Sequence, residues 1–387
     1  MPNSFEDILD QLPQIEETVK TNKEILLANL VMLGEIPAPT FEEQDRIEFL
    51  LNRFKEAELA KNSIDEVGNG IGILRGDNGE GNILMVAHAD TVFGEKVDHT
   101  IDIKPDKAVG PGVADNSLGM ALLASIPNLL EALEITLNKN LILMGATRSL
   151  GRGNLEGLRF FLSNFKDKID GAIGVEGVEL GRLSHTSIGM KRGEITCSVP
   201  EEYDWTRFGS ASAIQTINDI INRINEIRLP QRPRTSIVLG SIEGGTSFNT
   251  TAQNATLRFE IRSESAEIVN DIGRKMDEIV SEVSSRTGDT VVMDIFAQRE
   301  PGGIAYAHPM VRSTRQIMET LEIESRPGPS TSELSTFIER EIPAITLGLT
   351  HGDNLHEKNE TIEIKPIFKG IAQVIGTLLT LDGGNFE

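Results

Sequence analysis

Apolar residues recur along the chain with two different spacings. Between residues 14 and 60 they stand three or four positions apart, as in amphipathic helices, and the prolines of "GEIPAPT" interrupt the pattern. Two helices joined near residues 34–40 are therefore predicted. Further along, short apolar runs alternate with longer helical patterns, which predicts strands at 71–74, 82–87, 141–146 and 171–175 and helices at 117–133 and 155–165. This alternation is typical of an α/β fold, a mixed, largely parallel sheet flanked by helices.

A different order of elements begins near residue 192. Residues 192–301 predict strand, helix, strand, strand, helix and strand, which is the βαββαβ order of a ferredoxin-like domain. After residue 302 the first pattern resumes and ends in a helix. We therefore predict a first domain of residues 1–191 and 302–387, with a second domain of residues 192–301 inserted into it.

Charge and cysteine content limit the partners and the location. The 59 acidic and 37 basic residues give a net charge of −22, which repels nucleic acids and anionic membrane surfaces. No apolar run approaches the ~20 residues that span a bilayer. Cys197 is the single cysteine, and the first 20 residues are acidic, unlike a signal peptide. The sequence thus predicts a cytoplasmic protein without a nucleic-acid or membrane partner.

Two polar segments directly follow or precede predicted elements. In "ILMVAHADTVF", His88 and Asp90 come just after a strand, and a carboxylate can fix the orientation of an imidazole that binds zinc. In "GPGVADNSLGMA", Asp115 comes just before a helix. Its carboxylate is suited to bridging two cations, but the position of this segment, taken alone, favours a helix cap formed by Asp115 or Asn116.

Two further segments follow strands in the same way. Glu176 stands near the end of an apolar run in "GAIGVEGVELG", and His356 lies in the polar loop "THGDNLHEKNE". Each of these residues alone is typical of a solvated loop. Because parallel strands end at one edge of a sheet, we expect Glu176 and His356 to approach His88 and Asp115.

Together and in this order, these segments resemble the dizinc exopeptidase and amidohydrolase family that includes carboxypeptidase G, aminoacylase, peptidase T and succinyl-diaminopimelate desuccinylase. "HADTVF" looks like the family's His-x-Asp-Thr-Val segment, and "GPGVADNSLGMA" looks like its Gly-x-x-x-Asp-x-x-x-Gly loop. The resemblance implies a zinc-exopeptidase-like fold with an inserted lid and dimerisation domain. It also implies a homodimer that hydrolyses a small peptide or an N-acyl amino acid.

The resemblance implies roles for the residues that match. His88, Asp115 and Glu176 would hold one zinc ion, Asp115 would bridge to a second zinc held also by His356, and Asp90 would orient His88. In "GGTSFNTTAQNATLRFEIRS" of the inserted domain, the residues that would contact the substrate are Asn249 and Arg262. An arginine fork suits a free carboxylate because it can donate two parallel hydrogen bonds.

The chain departs from the family where two consecutive glutamates are expected. Ser149 and Leu150 occupy these positions in "TRSLGRG". The first glutamate is the family's general base, whose loss typically costs ~10²–10⁴ in rate. The second is a ligand of the second zinc, which would keep only two protein ligands here. Tyr203 or a neighbour replaces a histidine of the family, and Glu156 and Glu357 are candidate substitute bases.

Two functions follow from this combination of matches and losses. The intact ligand set predicts a metal-dependent hydrolase of a peptide or N-acyl amide bond, with one firm zinc site and a weakened second one. The losses in separate segments favour the alternative, a non-catalytic homologue that binds a peptide or an amino-acid derivative. A scaffold protein would leave the retained ligand set unexplained.

Overall fold

The computed structural model of the protein describes residues 4–199, 212–330 and 332–383. Its internal contacts divide the chain into two units, Met1–Thr186 with Gly303–Glu387, and Ser187–Gly302. The helices are α1 Phe5–Thr21, α2 Lys23–Gly34, α3 Gln44–Glu56, α4 Leu118–Ala132, α5 Glu156–Asn164, α6 Ala213–Asn225, α7 Ala266–Thr287, α8 Pro309–Thr320, α9 Leu334–Glu339 and α10 Lys365–Gly383. The strands are β1 Lys61–Ile64, β2 Gly70–Leu74, β3 Asn82–His88, β4 Asp102–Ile103, β5 Lys107–Val109, β6 Asn140–Ala146, β7 Gly171–Val178, β8 Arg182–Ser187, β9 Gly189–Ser198, β10 Thr235–Gly244, β11 Asn254–Ser263, β12 Thr290–Arg299, β13 Gly302–Gly303, β14 Arg326–Ser330, β15 Ala344–Thr350, β16 Gly352–Asp353 and β17 Thr361–Glu363.

The first unit is built on a nine-stranded sheet. Its strand order is β1-β2-β6-β3-β7-β15-β8-β13, and β14 pairs with β8. The four central strands β6, β3, β7 and β15 pair in parallel, whereas β1, β2 and β8 join antiparallel. The predicted fold class, a mixed and largely parallel sheet with helices, is confirmed. No helix among the described residues is long and apolar enough to cross a membrane.

Strand β3 shows why both faces of this sheet are covered. Ile83, Met85 and Ala87 belong to the core cluster formed with α1, α2, α3, α4 and α10. Leu84 and Val86 belong to a second cluster, formed with α5 and α9. Successive side chains of a strand point to opposite faces, so a continuously apolar strand can be buried on both of them.

The helical region before the sheet differs from its prediction. The expected two helices are three, because a break at Asn22 separates α1 from α2. The sequence shows neither glycine nor proline at this point. The chain turns because the backbone N–H of Asn22 bonds back to Lys20 and Thr18, and its side-chain amide also donates to the carbonyl of Thr18 at 2.9 Å. The predicted join at 34–40 corresponds to the loop between α2 and α3.

The second unit contains one four-stranded antiparallel sheet in the order β10-β11-β9-β12. Helices α6 and α7 contribute to a single core cluster with the strands. With a βαββαβ chain order, this strand order is that of the ferredoxin-like fold, so the predicted architecture is confirmed. On the helix-free face, Val238 and Val292 are more than 40% exposed.

Arg46 in α3 joins the segments that surround the carboxyl ends of the strands. Its side chain is fully buried. The guanidinium donates to the carbonyl of Ile36 at 2.6 Å and to that of Ala89 at 3.1 Å, with longer bonds of 3.4 Å to Gly34 and to Ser117. These bonds satisfy the backbone carbonyls of Gly34, Ile36 and Ala89, and Ala89 directly follows His88.

Replacing Arg46 by methionine should therefore destabilise the first unit. Arg46→Met keeps most of the side-chain volume but leaves buried carbonyls without donors, so we expect a loss of about 2–4 kcal/mol in the free energy of unfolding. Urea unfolding measures this. Lys55→Met, on the exposed side of the same helix, is the control and should change stability by less than about 0.5 kcal/mol. Equal stability of the two variants would contradict the structural role of Arg46.

Candidate metal centre

Three ligand-type side chains converge at the carboxyl ends of the parallel strands. His88 ends β3, Glu176 lies in β7, and Asp115 lies in the turn that precedes α4. Their ligand atoms all lie within 4.8 Å of one another. His88 Nε2 is 2.9 Å from Asp115 Oδ1 and 3.9 Å from Glu176 Oε2. The structure thus brings together the three residues expected to hold the first metal ion.

His356 approaches the same group from the loop after β16. Its Nε2 lies 3.0 Å from Asp115 Oδ2, so the carboxylate of Asp115 contacts one imidazole with each oxygen. The alternative predicted from the sequence, that Asp115 only caps α4, does not account for this contact. The capping-type bond belongs to the next residue, because Asn116 Oδ1 accepts from the backbone N–H of Gly119 at 3.2 Å.

The electrostatics of the cluster are dominated by burial and by these contacts. Burial opposes charge on His88, but its hydrogen bonds with the carboxylates of Asp115 and Asp90 raise its pKa well above the usual value. Burial likewise opposes charge on Asp115, yet the bonds with His356 and His88 hold its pKa well below the usual range. Burial raises the pKa of Glu176 to about 7.

This donor set fits a zinc-type cation. Imidazole nitrogen and carboxylate oxygen are ligands that zinc prefers, and ligands ~2.1 Å from a tetrahedral ion lie roughly 3.4 Å from each other. The distances of 2.9 and 3.9 Å from His88 to the two carboxylates bracket this value. A divalent cation would also compensate the buried carboxylates, which are costly to keep charged without one. Metal binding by these residues stays a prediction.

Asp90 contacts the second ring nitrogen of His88 mainly through its backbone carbonyl, whereas the sequence predicts a contact with its carboxylate. The orienting role of the Asp90 carboxylate stays a prediction. His88 Nδ1 lies 3.0 Å from the backbone carbonyl of Asp90 and 3.4 Å from its Oδ1. The other carboxylate oxygen accepts from Thr40 Oγ1 and from the backbone N–H of Leu150, both at 2.8 Å. A hydrogen-bonded partner on the second ring nitrogen fixes the orientation of a metal-binding imidazole.

Glu360 connects the loop of Asp115 with the loop of His356 through hydrogen bonds. Its side chain is fully buried, and burial raises its pKa. Oε1 accepts from the backbone N–H of His356 at 2.7 Å, and Oε2 accepts from those of Ala114 and Asp115 at 3.1 and 3.3 Å. The sequence places Glu360 in the polar loop but gives no role for it. The sequence contains one signal of this role, the spacing of four residues between His356 and Glu360.

Asn116 performs a similar task on the other side of Asp115. Its Nδ2 donates to the carbonyl of Val175 at 2.8 Å, and its Oδ1 accepts from the N–H of Gly177 at 2.8 Å. These two residues flank Glu176. The amide of Asn116 therefore fixes the strand segment that carries one carboxylate relative to the turn that carries the other.

The segment "TRSLGRG" borders this cluster through its backbone. Leu150 is half-buried and donates its N–H to Asp90. Ser149 is buried, and its Oγ has no hydrogen-bond partner among the described residues. The close packing explains a nearby glycine, since a Cβ at Gly157 would lie 2.3 Å from the carbonyl oxygen of Thr147. Residues 149 and 150 thus stand beside the ligand set without offering it a carboxylate.

The remaining predicted residues are exposed or have other partners. Glu156 pairs with Arg148 at 2.9 Å on the surface, and Glu357 is exposed. In the second unit Arg262 forms an ion pair with Glu260, and the exposed Asn249 accepts from Ser247 Oγ at 3.2 Å. Tyr203 lies outside the residues that the structure describes. Substrate contacts by Asn249, Arg262 and Tyr203 stay predictions.

Comparison with known proteins agrees with this geometry. Residues 209–287 match the M20 peptidase dimerisation domain. Acetylornithine deacetylase of Klebsiella pneumoniae is 24% identical over 316 residues, which are 77% of this chain and 80% of that protein. The solved dipeptidase Dug1p of Saccharomyces cerevisiae superposes with a TM-score of 0.79 at 12% identity, covering 97% of this chain and 99% of that one. This chain has the fold of an M20 metallopeptidase.

A second solved structure shares this fold. The YxeP protein of Bacillus subtilis, described as a dinuclear metal-binding peptidase of the M20 family, superposes with a TM-score of 0.63 at 14% identity, covering 93% of this chain and 97% of that one. The M20 fold is therefore shared with a protein that binds two metal ions. In this chain, the ligand-type group among the described residues contains His88, Asp115 and Glu176.

The Glu360 contacts give a direct test of the centre. Glu360→Gln replaces one acceptor oxygen by an NH₂ group that faces backbone N–H donors, so the loops of Asp115 and His356 should shift. We expect zinc affinity, measured by competition with a chromophoric chelator, to fall about 10–100-fold. Glu363→Gln, three residues further on and exposed, is the matched control. Unchanged affinity in the Glu360 variant would show that the loops are held by other contacts.

Proposed function

We propose that this protein is a metal-dependent hydrolase of peptide or N-acyl amide bonds in small substrates that carry a free carboxylate. The observation that carries the proposal is the convergence of His88, Asp115 and Glu176 at the carboxyl ends of the parallel strands. The relatives named above are a deacetylase and peptidases, which supports the same class of reaction. The high negative charge and the single cysteine support a cytoplasmic location.

Each residue of the centre contributes to this chemistry in a definable way. A bound zinc ion supplies a Lewis acid that polarises a carbonyl group and makes water more acidic. His88, Asp115 and Glu176 hold the ion, Asp90 fixes the ring of His88, and Glu360 fixes the backbone of Asp115. Asp90 and Glu360 are fully buried, which keeps these two supporting carboxylates in place.

Because Leu150 cannot bind a metal ion, the centre has enough protein ligands for only one firmly held ion. Three protein ligands suffice for a catalytic zinc site that keeps one position open, and the first site has three. A second ion would have Asp115 and His356, and the side chain of Leu150 adds no donor atom. We therefore infer one firm site and one weak site, in contrast to a dinuclear centre.

One observation favours a second candidate function. Ser149, at the place where a general base is expected, ends in a hydroxyl that does not accept a proton at neutral pH. A protein that binds a peptide or an amino-acid derivative through its metal ion without hydrolysing it would need no base. In this alternative, the protein still binds the metal ion but catalyses no reaction.

Metal analysis and an amidase screen separate these functions. We expect about one zinc ion per chain after reconstitution, and hydrolysis of N-acetyl amino acids or dipeptides that disappears in His88→Ala. Zinc binding without turnover would support the non-catalytic binding function over hydrolysis. Absence of bound zinc in the wild-type protein would contradict both functions.

The two substituted positions give a gain-of-function test. Ser149→Glu with Leu150→Glu supplies a base and a ligand, so we expect a second zinc ion and a rate at least ~10²-fold higher. Leu150→Glu alone is the matched variant and should gain the second zinc without the higher rate. If neither variant gains zinc, residues 149 and 150 do not occupy the positions inferred from the sequence.

We also propose a homodimer formed through the second unit. The match to a peptidase dimerisation domain supports this, and so does the exposed Val238 on β10, an edge strand of the described sheet. Sedimentation equilibrium should give twice the mass of the chain. A monomer at micromolar concentration would contradict the proposal.

A further inference from the structure

One buried carboxylate near the centre has no role in the sequence interpretation. Glu333 lies directly before α9 and is only 5% exposed. Its Oε1 is buried and has no hydrogen-bond partner among the described residues. A buried carboxylate oxygen without a partner is energetically costly unless a cation or a proton donor lies near it.

The packing of α9 explains where Glu333 lies. Leu334 and Phe337 of α9 belong to the same core cluster as Leu84 and Val86 of β3. Leu84, Val86 and His88 are spaced two residues apart along β3, so their side chains point to the same face of the sheet. This is the face that α9 covers.

Glu176 leaves the sheet on the same face. It lies four residues after Ala172 of β7, which belongs to the cluster with α9, and an even spacing along a strand keeps the same face. Only four residues separate the end of α9 from the start of β15, the parallel strand against which α9 packs. Helix α9 therefore runs opposite to that strand, and its start, where Glu333 stands, lies toward the carboxyl ends of the parallel strands.

Glu333 therefore stands on the same face and toward the same edge of the sheet as His88 and Glu176, on an element other than the one that carries Ser149. We propose that Glu333 is the general base of this site and fills the role that Ser149 cannot fill. This inference rests on the proposed metal-dependent hydrolysis. As a water oxygen forms its bond to the amide carbonyl carbon, Glu333 Oε1 accepts a proton from that water. Glu333 then gives the proton to the amide nitrogen as the C–N bond breaks, which leaves a carboxylic acid and an amine.

A binding experiment tests this without relying on turnover. Acetohydroxamic acid binds zinc enzymes as its anion, so its proton must go either to a protein base or to the buffer. Calorimetric titration of the zinc-loaded protein in two buffers of different ionisation enthalpy counts the protons released. We expect Glu333→Gln to release about one proton more per bound molecule than the wild type, and to bind at least ~10-fold more weakly.

Three variants make the outcome specific. Glu341→Gln, exposed in the same segment, should behave as the wild type in the same titration. Glu333→Asp keeps an acceptor and should release no additional proton, which guards against a merely structural effect of Glu333→Gln. In the amidase screen, Glu333→Gln should lose ~10²–10⁴ in kcat with zinc content unchanged.

The possible failures are distinguishable. If the wild type holds no zinc, the proposed metal centre is wrong, and the role of Glu333 falls with it. If the wild type holds zinc and binds the hydroxamate, but Glu333→Gln matches it in proton release and affinity, then the metal centre stands and Glu333 is not its base.

Discussion

The carboxylate of Asp115 contacts His88 with one oxygen and His356 with the other, and the site depends on this double contact. One imidazole comes from the end of a central strand and the other from a loop near the carboxyl end of the chain. The buried carboxylate of Glu176 completes the group, with a pKa raised to about 7. Such a cluster of donors in a low-dielectric environment favours a divalent cation, which links the architecture of the sheet to a metal-dependent function.

Behind this group lies a set of buried polar side chains whose partners are mainly backbone atoms. Arg46 donates to carbonyls beside His88, Glu360 accepts from backbone N–H groups of the Asp115 and His356 loops, and Asn116 bonds on both sides of Glu176. Each of them joins segments distant in sequence. Because buried polar groups are costly unless they are paired, these contacts define one arrangement of the loops.

The loop at Ser149 and Leu150 shows that structural and chemical roles can separate. The backbone N–H of Leu150 still bonds to Asp90, so the loop continues to support the orientation of His88. Its side chains, however, provide neither a base nor a ligand. Glu333 stands directly before α9, a helix anchored by apolar packing on the sheet face that His88 and Glu176 share. In the proposed function, this different element supplies the base while the fold stays the same.

The sequence by itself predicted most elements of this protein and the residues that converge at the carboxyl ends of its parallel strands. Alternating apolar periods located the central strands, the βαββαβ unit and the long helices, because these patterns are local. Strands of two or three residues, such as β4 and β16, show no measurable period and were not predicted. The break at Asn22 was missed because it depends on hydrogen bonds rather than on a glycine or proline.

Tertiary structure alone decided which side chains support or complement the ligands. Glu360 and Asn116 look like ordinary loop and capping residues in the sequence, and the sequence gives Glu333 no role. Glu156, a candidate base by position along the chain, instead forms a surface ion pair with Arg148. The physical reason is that local periodicity specifies helices and strands, whereas hydrogen bonds and burial between segments more than 200 residues apart, such as Ala114 and Glu360, arise only when the chain is packed.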